Sequence, residues 1–169
     1  MSRRTKPQLR RPYFGYGSNL WIDQMNRRCP DNKLVGLGIL RGWKWIINNR
    51  GYANVVRSPE DLVYGLVYEL GPTDEATLDQ IESSYSKHTA GIELQSEDHK
   101  EGPVVKGLVY VDEKRIDEAA PREEYIHRMN RGIDDAIKKG LPKWYIDKYL
   151  RKFIPAGDAS EATDPFGPE

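Results

Sequence analysis

Sulfur and imidazole are scarce in this sequence of 169 residues, which holds one cysteine, Cys29, and three histidines, His88, His99 and His127. A single thiol excludes an internal disulfide and fits a reducing compartment, so a cytoplasmic location is expected. The histidines are scattered and no cysteine joins them at ligand spacing, so no metal centre is expected. An excess of either charge is also missing. Lysine plus arginine and aspartate plus glutamate both number 26, for a formal net charge of zero. A protein built mainly to hold nucleic acid carries a basic excess, so no nucleic-acid partner is expected. Long apolar runs are absent too. Val63–Tyr68 and Val104–Val111 are far too short to span a bilayer. No apolar segment of signal-peptide type follows Met1, and neither membrane insertion nor secretion is expected.

What remains suits one domain of ordinary size. Residues 1–11 form a basic arm with Arg3, Arg4, Lys6, Arg10 and Arg11. It reads as a disordered, solvated extension, with a localisation or nucleic-acid signal as the alternative. Residues 154–169 are rich in Pro, Gly, Ala and acid and read as a flexible tail. The folded body is then residues 12–153, without internal repeat or linker.

Within the body, Tyr13–Tyr16 is a short aromatic strand ending in Gly17-Ser18-Asn19. Leu20, Trp21, Ile22 and Met25 follow in a helical pattern closed by Cys29-Pro30. Leu34–Asn48 reads as one long bent strand, or two strands with a bulge. Tyr52–Arg57 and Leu62–Leu70 read as strands separated by a Ser-Pro-Glu-Asp turn. Pro72 and Thr73 start a helix running to Glu82, with Asp74 and Glu75 in its first turn, where the dipole favours acids. Gly91–Ser96 and Val104–Val111 are further strands. Pro121–Lys139 and Pro142–Lys152 are helical, with Gly140 as the breaker between them. Regular βα alternation is missing, which argues against a doubly wound sheet. The fold class expected is α+β, with a small mixed β-barrel-like sheet and flanking helices.

Chemistry first enters at Gly15-Tyr16-Gly17-Ser18-Asn19-Leu20. A strand delivers the chain into a glycine turn and a helix begins at once. The first N–H groups of a helix lack internal partners and carry the positive end of its dipole, so such a turn suits a small anion. The dinucleotide fingerprint needs a glycine where Leu20 stands, and the P-loop needs a Gly-Lys-Ser/Thr that is absent. The same spacing also suits an ordinary capped turn.

With its aromatic lead-in, Tyr13-Phe14-Gly15-Tyr16-Gly17-Ser18-Asn19-Leu20 resembles the signature of the γ-glutamylcyclotransferase family. The likeness continues through Gly51-Tyr52-Ala53-Asn54-Val55-Val56, Ser58-Pro59 and Val63-Tyr64-Gly65-Leu66-Val67-Tyr68. Leu78-Asp79-Gln80-Ile81-Glu82 matches the helix end that bears that family's catalytic glutamate. Gly107-Leu108-Val109-Tyr110 matches a strand with a pocket tyrosine, and Gly140-Leu141-Pro142 with Tyr145 and Tyr149 resembles the C-terminal helix. The resemblance implies a cofactor-free enzyme acting on a small γ-glutamyl substrate, with room for a homodimer. It implies that the turn holds the glutamyl α-amino and α-carboxylate ends, using Tyr13, Phe14, Gly15, Tyr16, Gly17, Ser18 and Asn19. It implies that Glu82 moves the proton. Tyr110 reads either as a hydroxyl donor to the substrate carboxylate or the oxyanion, or as a strand aromatic packed in the core.

One carboxylate suffices for such a reaction, because the nucleophile is the substrate's own tethered amine. A base takes the amine's proton and an acid returns one to the leaving group. A glutamate in the last turn of a helix faces the negative dipole end, and burial pushes its pKa the same way, upward. An exposed glutamate at a frayed helix end is the competing reading of Glu82. Glu69, Glu75 and Asp79 are the other carboxylates nearby, with Glu75 and Asp79 placed on a solvated face. Tyr16 reads as a pocket wall, and Trp43, Trp45 and Trp144 as packing residues.

The sequence departs from the family pattern after Glu82. Ser83-Ser84-Tyr85 stands where glycine usually follows, and Thr89 stands near an expected tyrosine. A reshaped segment Ser83–Ala90 flanking the leaving group implies a bulkier substrate, such as a glutathione conjugate of the kind handled in fungal thiol-toxin pathways of secondary metabolism. A non-catalytic γ-glutamyl-binding protein with the same fold is the alternative.

Overall fold

The computed structural model describes residues 9–96 and 101–157. Most of the basic arm and of the acidic tail, and His99, lie outside the described residues. Arg10 and Arg11, assigned above to the arm, belong to the folded body. Arg10 pairs with Asp31 and Arg11 opens the first strand.

Five strands close into a barrel in the order β1-β3-β2-β4-β5. β2 (Lys33–Ile47) and β3 (Ala53–Leu70) form a long antiparallel hairpin, and β4 (Ser86–Gln95) pairs antiparallel with β5 (Glu101–Val111). β1 (Arg11–Gly15) pairs antiparallel with β3 and meets β5 in parallel at Tyr13 and Leu108, which makes the sheet mixed, as expected. Residues 63–68 of β3 are all buried, so this run packs on both faces and shows no polar alternation. β2 is the single bent strand anticipated, with register shifts at Leu34/Gly36 and Arg41/Trp43.

Two expectations about strands need correction. Tyr52–Arg57 and Leu62–Leu70 are not separate strands. Arg57 faces Trp43 and Leu62 faces Arg41, so Ser58–Asp61 swells out of the ladder without reversing the chain. The Asp61 carboxylate accepts hydrogen bonds from Ser58 Oγ and Tyr149 Oη, each at 2.5 Å, which satisfies the bulge in place. The second correction concerns Ser83–Ala90. Only Ser83–Tyr85 forms a turn. Ser86–Ala90 lies in β4, from Ser86 opposite Val111 to Ala90 opposite Gly107.

Helices cover the barrel's flanks. A 3-10 turn at Ser18–Leu20 precedes α1 (Ile22–Arg28), and Trp21 is the non-helical residue between them. α2 is Pro72–Ile81 and α3 is Glu123–Lys138. Gly140, at φ +105°, ends the α3 segment as read from the sequence. A helical turn, α4 (Lys143–Tyr145), then runs into a π-helical turn at Ile146–Leu150. Along α3, Tyr125, Arg128, Met129, Gly132, Ile133 and Ala136 are buried, the spacing of one helix face. That face lies against the Ser18–Leu20 turn. A Cβ on Gly132 would fall 2.8 Å from Leu20 Cβ and 2.9 Å from the Trp21 nitrogen, so glycine sets how close the helix comes. Asp135 of α3 accepts the Ile22 N–H at 2.8 Å.

Trp43 and Trp45 are buried packing residues, and Trp45 Nε1 donates to the Tyr16 carbonyl at 2.9 Å. Trp144 departs from the expectation. It meets Tyr64 and Tyr145 edge-on but stays 49% exposed. No helix among the described residues is long and apolar enough to cross a membrane.

Candidate active site

The glycine turn, the end of α2 and the start of α3 converge on one two-lobed cavity. The inner lobe, about 40 Å³, is lined by Tyr13, Tyr16, Gly17, Asn19 and Tyr110 among others. The outer lobe, about 300 Å³ and partly open, is lined by Arg28, Arg50, Arg128, Tyr52 and Ser84 among others. Ser18, Glu82, Tyr85 and Tyr125 line both, so Glu82 stands at the waist.

Glu82 follows the last helical residue of α2, and its N–H still bonds to the Leu78 carbonyl at 2.9 Å. Part of its surface faces the cavity while protein surrounds the rest. Burial raises its pKa, and the charges of Arg28, Arg128 and Arg50 oppose that rise without cancelling it. Among the described residues, none donates a hydrogen bond to the Glu82 carboxylate. The frayed, solvated glutamate is therefore not what the structure contains.

The turn differs from a helix-dipole anion site. The chain makes a 3-10 turn before α1 begins, and the Ile22 N–H at the start of α1 is taken by Asp135. What holds the turn is side-chain bonding. Tyr125 Oη accepts the Ser18 N–H at 3.1 Å. Gln24 Nε2 donates to Ser18 Oγ at 3.0 Å and Asn19 Oδ1 at 2.9 Å, and Tyr68 Oη donates to the Asn19 carbonyl at 2.7 Å. Gly17 is where ligand space is made. A Cβ there would lie 2.7 Å from Tyr125 Oη and 3.0 Å from Ala53 Cβ, inside the inner lobe.

The hydroxyl protons around the inner lobe have definite destinations. Tyr16 Oη donates to the Tyr110 carbonyl at 2.5 Å, Tyr85 Oη to the Ala53 carbonyl at 2.9 Å, and Tyr110 Oη to Asp79 Oδ1 at 2.6 Å. Their oxygens are left as acceptors. Tyr13 Oη accepts from Asn19 Nδ2 at 2.9 Å, and its own proton has no acceptor among the described residues. Asp79 claims the Tyr110 proton, so in this arrangement Tyr110 turns only an acceptor oxygen to the cavity and not the donor expected of it. Asp79 and Glu75 are not merely solvated. Both accept from Lys87 Nζ, and Glu75 also pairs with Arg11. Burial works against the ionised Asp79, but the bonds from Tyr110 and Lys87 prevail and hold its pKa below the usual value. Glu69 lies opposite Pro12 and Lys33 in the sheet, away from both lobes.

Of the sequence-predicted site residues, Tyr13, Tyr16, Gly17, Ser18, Asn19, Tyr110 and Glu82 meet at the cavity. Phe14 and Gly15 do not. Strand alternation turns Phe14 into the core beside Gly38 and Gly65, where it is fully buried. Gly15 packs against Tyr13, Asn19 and Tyr68. Thr89 lies on a different surface cleft with Trp43 and Arg57, while Tyr85 supplies the aromatic at the cavity.

Sequence reasoning missed Arg28, Arg50, Arg128 and Tyr125. Arg28 Nη1 reaches Asn19 Oδ1 at 3.3 Å. Arg128 forks onto Glu124 at 2.7 and 2.9 Å and lies over the Tyr125 ring at 5.1 Å. Arg50 lies over Tyr52 at 5.5 Å, on a loop whose Gly51 adopts φ +85° and bonds to the Arg122 N–H at 3.2 Å. The buried, polar Arg128 on the apolar face of α3 was the one signal available.

A family model described as gamma-glutamyl cyclotransferase, AIG2-like, matches residues 13–128, more than half of the chain. The gamma-glutamylcyclotransferase of Bos taurus is 24% identical over 169 residues, covering 78% of this chain and 89% of its own. That of Mus musculus is 27% identical over 146 residues, covering 80% and 75%. A solved gamma-glutamyl cyclotransferase aligns with TM-score 0.73 at 24% identity, covering 92% of this chain and 95% of the other. An uncharacterised protein of Homo sapiens aligns with the same TM-score, 0.73, and identity, 24%, covering 92% and 94%. At such identities the structural matches speak for the fold, and the family model speaks for descent. With the turn, the carboxylate and the barrel in place, the chain belongs to the γ-glutamyl cyclotransferase, AIG2-like family.

Proposed function

We propose that this protein is a γ-glutamylcyclotransferase that uses Glu82 as both base and acid. The glutamyl α-carboxylate lies by the glycine turn, within reach of the Tyr13 hydroxyl and Arg28. The α-ammonium faces Glu82 and the acceptor oxygens of Tyr110 and Tyr16. Glu82 takes a proton from the ammonium, and the freed amine attacks the γ-carbonyl carbon to close a five-membered ring. The oxyanion that forms is met by the Tyr125 hydroxyl, which accepts the Ser18 N–H and keeps its own proton to donate. The protonated Glu82 then gives its proton to the departing nitrogen. As the C–N bond breaks, the ionised Glu82 takes the second proton from the ring nitrogen and passes it to the departing amine, so 5-oxoproline leaves with a neutral lactam ring and the amine leaves as its ammonium. Tethering makes attack effectively unimolecular, so the protein need only fold the chain and carry protons from the attacking nitrogen to the departing one.

The observation that carries this reading is the position of Glu82. It lines both lobes and shares the inner one with Gly17 and Ser18, and burial lifts its pKa toward that of a useful base. A cavity of about 300 Å³ sits at the lower end for small-molecule sites and suits a leaving group of amino-acid or dipeptide size. A glutathione-derived conjugate would extend through its open side.

The test is release of 5-oxoproline from γ-glutamyl amino acids, glutathione and glutathione conjugates, with products identified by mass spectrometry. Glu82→Gln is expected to fold and to lose about 10²–10⁴-fold in turnover, the usual worth of a positioned base. Binding of γ-glutamyl ligands without product over long incubation would instead assign the protein to the non-catalytic alternative.

A further inference from the structure

Asp79 is a carboxylate that the reaction itself does not use. It lies on α2 four residues after Glu75 and three before Glu82, so the three share one face of the helix. On the facing hairpin, Lys87 of β4 stands directly opposite Tyr110 of β5. Residues so paired leave a sheet on the same side, and here both reach Asp79. Tyr110 Oη donates to Asp79 Oδ1 at 2.6 Å. Lys87 Nζ donates to Asp79 Oδ2 at 3.2 Å and to Glu75 Oε2 at 2.6 Å. Arg11 of β1 meets Glu75 Oε1 at 3.4 Å. A chain of charged contacts thus runs from the half-exposed Arg11 through Glu75, Lys87 and Asp79 to the wall of the inner lobe.

That chain ends on a hydroxyl whose direction matters. Burial opposes the charge on Asp79, yet the bonds from Tyr110 and Lys87 keep it ionised. An ionised carboxylate can only accept, so the Tyr110 proton is drawn out of the lobe. Turning it inward would break a charge-assisted bond, roughly twice as strong as a neutral one. Tyr16 and Tyr85 are set the same way, with their protons on the Tyr110 and Ala53 carbonyls. The lobe of about 40 Å³ is therefore faced by phenol oxygens acting as acceptors and by the Glu82 carboxylate. Such a lobe suits a small cationic donor. Of the three groups that take these protons, Asp79 alone is a side chain, so it alone can be removed by substitution.

On the reading that the cavity is a γ-glutamylcyclotransferase site, we propose that Asp79 is a positioning residue for the substrate's ammonium. By holding the Tyr110 proton it fixes Tyr110 as an acceptor for the glutamyl α-ammonium, and Lys87 holds Asp79 in place. Without Asp79 the hydroxyl is free to turn its proton into the lobe, where it opposes the ammonium protons.

The experiment compares γ-glutamylalanine with N-glutarylalanine, which lacks only the α-amine, by calorimetry. Glu82→Gln is the background, so that neither ligand is consumed. That background is expected to prefer the amine-bearing ligand by roughly tenfold. Adding Asp79→Leu, which fills the place of the carboxylate and accepts nothing, is expected to cut the preference by about three- to tenfold. Tyr110→Phe should cut it by a similar factor, and the two together no further, because they remove one device. Asp79→Asn, whose amide oxygen still accepts the Tyr110 proton, should keep most of the preference. With Glu82 intact, the Asp79→Leu loss in 5-oxoproline release should appear mainly in KM. Equal weakening of both ligands by Asp79→Leu would overturn the proposal, because Asp79 would then only support the wall. Losses from Asp79→Leu and Tyr110→Phe that multiply would overturn it too, as would a background without preference for the amine. If wild type forms no product, the catalytic reading fails while the binding ratios still decide this one. Absence of binding by either ligand sinks both.

Discussion

Burial and charge pull the protonation of Glu82 in opposite directions, and burial prevails. The consequence for stability has a definite sign. A carboxyl whose folded pKa is raised above its ordinary 4.5 binds its proton more tightly when folded. The stability it contributes is complete below the unfolded value and is lost as pH rises through the folded one. Glu82→Gln removes that loss, so the variant is expected to melt above wild type at pH 7. The gap should close below about pH 4, where both side chains are neutral in either state. Scanning calorimetry at the two pH values checks this, and a variant that melts lower at pH 7 would mean that the arginines outweigh burial. Catalysis should report the same shift. The acid limb of kcat/KM is expected above the ordinary glutamate value, and Arg28→Gln should move it higher still, because Arg28 is the strongest charge opposing the rise.

At the scale of elements, α3 does more for the site than its position in the chain suggests. Its apolar face carries Tyr125 and Arg128 into the cavity, and its closest approach is Gly132 against Leu20 and Trp21. Gly132→Ala separates two effects of opposite sign. Alanine in a helix interior is favoured over glycine by about 1 kcal/mol. The new Cβ would lie 2.9 Å from a backbone nitrogen and 2.8 Å from Leu20 Cβ, neither of which is the free end of a flexible chain. Overpacking of this kind costs roughly 1–3 kcal/mol. The strain should win, with net destabilisation of up to about 2 kcal/mol in urea unfolding. Activity should fall as well, because any retreat of α3 draws Tyr125 away from the Ser18 N–H that it holds at 3.1 Å. A variant more stable than wild type would show that the turn and helix give way easily. The strands and helices themselves were largely legible in the sequence, since β-branched runs and glycine breaks mark them locally. The errors came where side chains settled the matter. The Ser-Pro-Glu-Asp segment looks like a turn but stays within β3, because Asp61 finds Ser58 beside it and Tyr149 from the far end of the chain.

For the molecule as a whole, the site shows where a linear reading stops. Glu82 and the glycine turn were legible as cavity residues because each sits in a recognisable local block. Arg28, Arg50 and Arg128 were not, because they come from α1, the β2–β3 loop and α3, and only closure of the barrel brings them to one lobe. Phe14 fails for a related reason, since strand alternation sends it to the opposite face from its neighbour Tyr13. The lone thiol offers a probe of that closure. Cys29 ends α1, is fully buried, and has its pKa pushed up to about 12, chiefly by burial. The thiolate is the reactive form, so in the native state both access and ionisation oppose labelling. A disulfide reagent at pH 8 is expected to leave native Cys29 unmodified and to label it within the transition seen by circular dichroism as urea is raised. Coincident midpoints would mean that the thiol is exposed only when the barrel unfolds as one unit. Labelling well below the main transition would mean instead that α1 opens alone, and the turn held by Gln24 would then belong to a less stable part of the structure than the barrel.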